Sequence, residues 1–206
     1  MKISTVEHLL AALVGCGIDN AYIEINSSEI PILDGSSAPF VDQILETGIK
    51  TLTKLRKIIC ISEPISIEAG EQFIRYYPPE TEADAEYLEL ICSISFSSKA
   101  IGQQTFSMIL TPDNFLKIHE ARTFCHIDDV KYMRSQGLAS GGSLDNAVVV
   151  DNERIINNDG LRYSDEFVRH KLLDFIGDTG MLDGMLTGRI HLHKAGHKLH
   201  ALFVNK

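Results

Sequence analysis

The sequence predicts an α+β protein built of two related units, each layering helices on a β-sheet. A helix–strand–helix pattern opens the chain and a similar one closes it. A β-rich stretch lies between them, and no low-complexity segment or long linker separates the parts. At 206 residues, with 44% hydrophobic and 23% charged positions, the chain can bury a substantial core.

Taken in order, Ser4-Thr5-Val6-Glu7 reads as a capping box, with Ser4 capping a helix whose third residue is Glu7. That helix runs through Leu9, Leu10, Leu13 and Val14 and stops at Gly15-Cys16-Gly17. Glu7 thereby has a structural explanation, whereas His8 beside it has none. Asp19-Asn20 turns the chain into an alternating strand from Ala21 to Ile25. Residues 29–40 are rich in turn formers, and a helix is predicted from Phe40 to Thr47, with Val41, Ile44 and Leu45 inward and Gly48 as its stop.

From Lys54 to Lys57 onward the pattern turns to β. Lys57 to Ile65, Gln72 to Tyr77, Tyr87 to Phe96 and Gln104 to Thr111 alternate or carry β-branched residues, with turns at Gly70 and at Pro78 to Glu82. Pro112 starts a short helix. Asp128 to Gln136 predicts another, with Val130 and Met133 inward and Gly137 as its stop. Ala147 to Val150 reads as a buried strand, about Asp165 to Gly180 as a helix, Leu186 to His193 as a strand and Gly196 to Val204 as the closing helix.

Twenty-eight acidic against nineteen basic residues give a formal charge of −9, which argues against general nucleic-acid binding. It leaves room for one anionic small ligand held by a few lysines. Cys16, Cys60, Cys92 and Cys125 are scattered without a C-x-x-C pair, the usage of a reduced, cytoplasmic chain. Met1-Lys2 followed by Leu9 to Cys16 superficially resembles a lipoprotein signal. Glu7 and His8 interrupt it, and the remaining run from Leu9 to Val14 is too short for export or a membrane span. Lipidation at Cys16 is therefore the weakest reading of this segment.

Within Arg169 to Asp178, His170 and Asp174 stand one helical turn apart on the same face, with Asp178 a further turn along. Such a pair presents an imidazole nitrogen and a carboxylate oxygen able to close on a small borderline metal such as zinc. The same spacing also occurs on the wet side of ordinary amphipathic helices, so the pair alone does not decide. His191 and His193 share one strand face and could pair on a metal or simply be solvated. His119, His126 and His200 carry no signal beyond surface placement.

Further blocks bear on the choice: Ser-Thr-Val-Glu-His-Leu-Leu-Ala-Ala-Leu (residues 4–13), Glu-Ile-Pro-Ile-Leu-Asp-Gly-Ser (29–36), Ala-Arg-Thr-Phe (121–124), Gly-Leu-Ala-Ser-Gly-Gly-Ser-Leu-Asp-Asn-Ala (137–147), residues 165–178 and Lys-Ala-Gly-His (194–197). Together they resemble the UDP-3-O-acyl-N-acetylglucosamine deacetylases, zinc amidases of lipid A synthesis. The resemblance covers nearly the whole chain in order. It implies Zn2+ held by His8, His170 and Asp174, Glu7 as general base, Thr123 as an oxyanion donor, His197 as the acid that protonates the leaving amine, and Asp178 as its orienting partner. It implies Lys171, Lys194 and Phe124 as substrate contacts. Residues 126–150 resemble the family's acyl-passage insert, where Ile127, Val130, Leu138, Ala139, Leu144 and Val149 are suitable linings.

The implied substrate is UDP-3-O-acyl-N-acetylglucosamine, and the implied state a cytoplasmic monomer with no transmembrane segment and no nucleic-acid partner. In two places the chain departs from the family pattern. The family normally carries strands ahead of the Ser-Thr-Val-Glu-His block, which begins here at residue 4. The expectation is thus a first unit lacking its N-terminal strands over residues 1–55, and a second unit over 56–206. A relative that binds zinc or ligand without turnover is the alternative. Cys125 also stands where glycine is usual, and His126 where an aromatic is common.

Overall fold

The computed structural model describes residues 2–130 and 142–206. The elements in chain order are α1 (Glu7–Gly15), α2 (Ala38–Thr47), β1 (Ile58–Ile59), β2 (Ile65–Ala69), β3 (Gln72–Tyr77), a 3-10 turn (Asp84–Glu86), β4 (Leu88–Ser95) and β5 (Gln103–Ile109). They continue with α3 (Pro112–Phe115), β6 (Phe124–His126), β7 (Val148–Val150), α4 (Glu166–Thr179), β8 (Met185–Leu186), β9 (Gly188–His193) and α5 (His197–Val204).

The main sheet has the order β2-β3-β9-β4-β5. Its pairs are antiparallel except the parallel β4–β9 pair. Alternation sends Ile74 and Tyr76 of β3, Leu88, Leu90, Cys92 and Ile94 of β4, and Ile190 and Leu192 of β9 into the core. Leu172, Leu173, Phe175 and Ile176 of α4 and Leu199 and Phe203 of α5 join the same cluster. Helix α4 lies against β4 and β5, α5 against β2 and β3, and α1 packs on α4. The architecture is α+β, as the patterning predicts. No helix among the described residues is long and apolar enough to cross a membrane.

One close approach shapes the site. A Cβ on Gly177 of α4 would lie 2.7 Å from the Glu7 carbonyl carbon and closer still to its oxygen. Only glycine lets the first turn of α1 rest directly on the backbone of α4.

Several local expectations fail for identifiable reasons. Ser4 does not cap α1. Its N–H donates to the Ser28 carbonyl at 2.9 Å, and its own carbonyl accepts from the Ile30 N–H at 3.1 Å. Thr5 turns at φ 57° and Val6 becomes an N-cap without a side-chain bond, so Glu7 is the first helical residue. Glu7 is thereby released from a capping role. Residues 21–25 form no strand, and Tyr22 and Ile23 are exposed; alternation without a neighbouring strand satisfies no backbone groups. Leu45 points outward from α2.

The stretch from Lys57 to Ile65 yields only β1 and the start of β2. Leu186 to His193 splits at Thr187, because Gly188 turns at φ 106° against the Tyr77 carbonyl. Residues 127–130 are helical, one residue earlier than the predicted start at Asp128. The rest of that helix, with Met133, and the candidate linings Leu138 and Ala139 fall outside the described residues.

Candidate metal centre

Helix α4 is buried on nearly every side, its polar residues included, so the wet-face reading of His170 and Asp174 does not hold. They are 1% and 2% exposed. His170 Nε2 lies 3.2 Å from Asp174 Oδ1, and His8 Nε2, brought in from α1, lies 3.7 Å from the same oxygen. The two imidazoles meet edge to face with centroids 5.1 Å apart. One ligand-type atom from each of the three residues falls within 4.8 Å of the others.

The donor chemistry fits a cation. His170 Nδ1 lies 2.9 Å from the Ala121 carbonyl, which only accepts, so the proton sits on Nδ1. A neutral ring then turns the bare Nε2 lone pair toward a carboxylate oxygen. That juxtaposition is unfavourable until a proton or a metal ion lies between them, and a carbonyl-anchored imidazole is the usual support of a metal ligand. His8 Nδ1 is buried without a hydrogen-bond partner among the described residues, where the ring's polar environment is its approach to Asp174 and His170. Burial alone would raise the pKa of Asp174. With a proton in that place between ring and carboxylate, the charges of His170 and Lys171 and the hydrogen bonds from the His170 and His8 rings outweigh it and hold the carboxyl well below the usual range. Its other oxygen, Oδ2, accepts from Lys171 Nζ at 3.0 Å. Burial works against the Lys171 charge, yet Asp174 keeps its pKa raised.

A turn further along, Asp178 Oδ2 accepts from His197 Nδ1 at 2.7 Å and from His200 Nδ1 at 2.6 Å. The Asp178 bond leads the causes that push the His197 pKa up to about 9. Partial burial opposes the shift, and the charges of Asp174, Asp178 and Glu7 add to it. His197 Nε2 stands 3.8 Å from Asp174 Oδ2, so the imidazolium borders the three-residue cluster.

The remaining sequence-predicted residues divide. Thr123 is held between Gly35 and β7: its N–H donates to the Gly35 carbonyl at 2.7 Å, and its carbonyl accepts from the Val148 N–H at 2.8 Å. Phe124 packs on Phe167, with centroids 4.9 Å apart, lies 6.3 Å from the His170 ring, and receives Lys171 Nζ over its face at 5.4 Å. Glu7 is half-buried one residue before His8. Lys194 is engaged elsewhere, its Nζ donating to Glu71 Oε2 at 2.6 Å across the β2–β3 turn.

His191 and His193 flank Phe73 on the outer sheet face and enter no metal-grade cluster among the described residues. Cys125 lies half-buried in β6, its thiol pKa pushed up by burial. His200 was missed by sequence reasoning. The available signal was its i, i+3 spacing from His197, which puts both on one face of α5.

A family model described as UDP-3-O-acyl N-acetylglycosamine deacetylase matches residues 1–206. Among curated relatives, a UDP-3-O-acyl-N-acetylglucosamine deacetylase of Idiomarina loihiensis is 46% identical over 202 residues, covering 97% of this chain and 64% of its own. One of Syntrophus aciditrophicus is 43% identical, covering 98% of this chain and 62% of its own. A third, from Syntrophotalea carbinolica, is 41% identical, covering 100% and 65%. The chain thus spans just under two thirds of the length of these relatives.

Proposed function

The chain belongs to the UDP-3-O-acyl N-acetylglycosamine deacetylase family, and on that premise we propose that it hydrolyses the N-acetyl group of UDP-3-O-acyl-N-acetylglucosamine. The amide C–N bond breaks, water supplies the new oxygen of acetate, and the sugar amine takes up a proton. The observation that carries the reading is the buried cluster of His8, His170 and Asp174 with the His197–Asp178 pair at its edge. Two imidazoles and one carboxylate suit Zn2+ in a site that keeps a position open. Bound there, Zn2+ supplies Lewis acidity to the amide carbonyl and lowers the pKa of an attacking water.

The chain's own groups divide the proton work. Glu7, free of any capping bond, takes the proton from the attacking water. The Thr123 hydroxyl donates to the carbonyl oxygen as charge builds there. His197, kept charged by Asp178, gives its proton to the leaving nitrogen. Phe124 and Lys171 offer a flat apolar surface and a cation to the sugar and its phosphates, and Lys194 joins them by exchanging its exposed Glu71 partner for substrate. Val130 and Val149, with Ile127 and Leu144, belong to the acyl passage in residues 126–150. In this reading the chain divides into units at 1–55 and 56–206 and works as a cytoplasmic monomer.

A specific observation favours a second reading, zinc or ligand binding without turnover. Tyr22, Ile23, Leu45, Ile49, Leu52 and Leu55 are all exposed, an apolar display that disfavours a well-ordered first unit. Acetate release from the acylated nucleotide sugar by the purified 206-residue chain, with and without a chelator, separates the two. Release that the chelator stops supports catalysis. Full zinc occupancy without release overturns it.

A further inference from the structure

We propose that His200 is a positioning residue for His197, its Nδ1–H pinning the Asp178 carboxylate in the orientation that His197 needs. The proposal rests on the reading of His197 as the group that protonates the leaving nitrogen. His200 is 1% exposed, and its closest polar partner is Asp178 Oδ2 at 2.6 Å. An ionised carboxylate only accepts, so Nδ1 of His200 is the donor, as is Nδ1 of His197 at 2.7 Å on the same oxygen.

The two rings differ in how firmly they are held. The side chain of His197 is 53% exposed, so packing fixes it poorly. His200 is wedged edge to face against Phe175, with centroids 5.1 Å apart and planes at 79°, and borders His197 at 5.6 Å. The terminal torsion of an aspartate is broad and roughly two-fold, so one mobile donor does not set the carboxylate plane. A second donor from a buried, immobile ring does. A leucine would fill the volume as well, so a purely packing role leaves the imidazole unexplained. The charge-assisted bond to Asp178 explains it.

The test compares His200→Leu, which removes the donor, with His200→Asn, whose amide nitrogen can take the place of Nδ1. Both are made in the full 206-residue chain and loaded with zinc. We expect His200→Leu to hold one zinc and bind substrate with unchanged KM, while kcat falls about tenfold, as on loss of an outer-shell partner. The His197 Nδ1 proton resonance in NMR broadens as its acceptor loosens. His200→Asn keeps most of kcat and a sharp resonance. Wild-type kcat and resonance in His200→Leu would overturn the proposal, and so would equal losses in both variants, which would assign His200 to packing. If the unmutated, zinc-loaded chain releases no acetate, the reaction reading fails, and the resonance comparison still decides what His200 does. If His200→Leu does not fold, His200→Asn decides by the same readouts.

Discussion

Gly177→Ala tests how the metal cluster is assembled. On helix propensity alone the substitution stabilises α4 by about 1 kcal/mol. The structure opposes it. The new Cβ would lie 2.7 Å from the Glu7 carbonyl carbon, and ordinary contact begins at 3.4 Å, so the first turn of α1 must retreat by at least 0.7 Å. Overpacking of this kind costs roughly 1–3 kcal/mol, which leaves a net loss of roughly 0–2 kcal/mol once propensity is credited.

The larger effect falls on the metal. His8 follows Glu7 directly and reaches Asp174 Oδ1 at 3.7 Å. Metal–ligand distances tolerate only about ±0.2 Å, so the retreat carries His8 out of range while His170 and Asp174, both on α4, stay together. We expect zinc affinity to fall about 10–100-fold, the scale on which ligand-supporting contacts act, corresponding to about 1.4–2.8 kcal/mol. Competition against a chromophoric chelator measures it. The zinc-dependent rise in Tm should shrink in parallel, while Tm without zinc falls by no more than about 8 °C, at about 2–4 °C per kcal/mol. Unchanged zinc affinity in Gly177→Ala would refute the argument that this close approach sets the position of His8.

Other outcomes follow from the same geometry. Glu7→Gln should retain bound zinc and lose acetate release by about 10²–10⁴-fold, the range for removing a general base; a loss below tenfold removes Glu7 from that role. In the zinc-free chain an NMR titration should place the His197 pKa near 9. Since that lies above the ordinary 6.5, the stabilisation is fully present below pH 6.5 and fades as pH rises through about 9. Asp178→Asn should abolish the shift and flatten urea stability across that window; an unmoved titration would rule out Asp178 as its main cause. Glu166, fully buried, accepts from the Arg122 backbone N–H and guanidinium and from the Arg162 N–H. Glu166→Ala strands the buried Arg122 charge and should cost about 3 kcal/mol in urea unfolding; a loss under about 1 kcal/mol would mean that Asp159 and the Gly160 carbonyl suffice for Arg122.

What could be read from the sequence divides by the range of the interaction. His170 and Asp174 are legible because an i, i+4 pair in a helix is settled by backbone geometry alone, and α4 forms within a residue of each expected end. The strands β3, β4, β5 and β9 are legible because their alternation coincides with a real neighbour on each paired edge. Residues 21–25 alternate equally well and have no such neighbour among the described residues, which shows that period alone predicts a face and not a ladder. The capping box failed in the same way: its local chemistry was sound, but the Ser4 backbone is engaged by residues 28 and 30.

At the site, local pattern marks His170, Asp174 and Asp178 and falls short on the residues brought to them. His8 reaches α4 only because Gly177 lacks a side chain, and periodicity does not report the space that a glycine leaves for another helix. His200 reads as a surface histidine until α5 docks and seals it over Asp178. Lys194 is a cation whose motif position suggests substrate and whose ammonium meets Glu71 in the structure, a partner far away in sequence that no local pattern reports. On the proposed reading, the candidate ligand pair is a property of one helix, whereas the third candidate ligand and the support of the proposed acid belong to the contacts α4 makes with α1 and α5. Those contacts are where substitutions distant from the metal will change the chemistry.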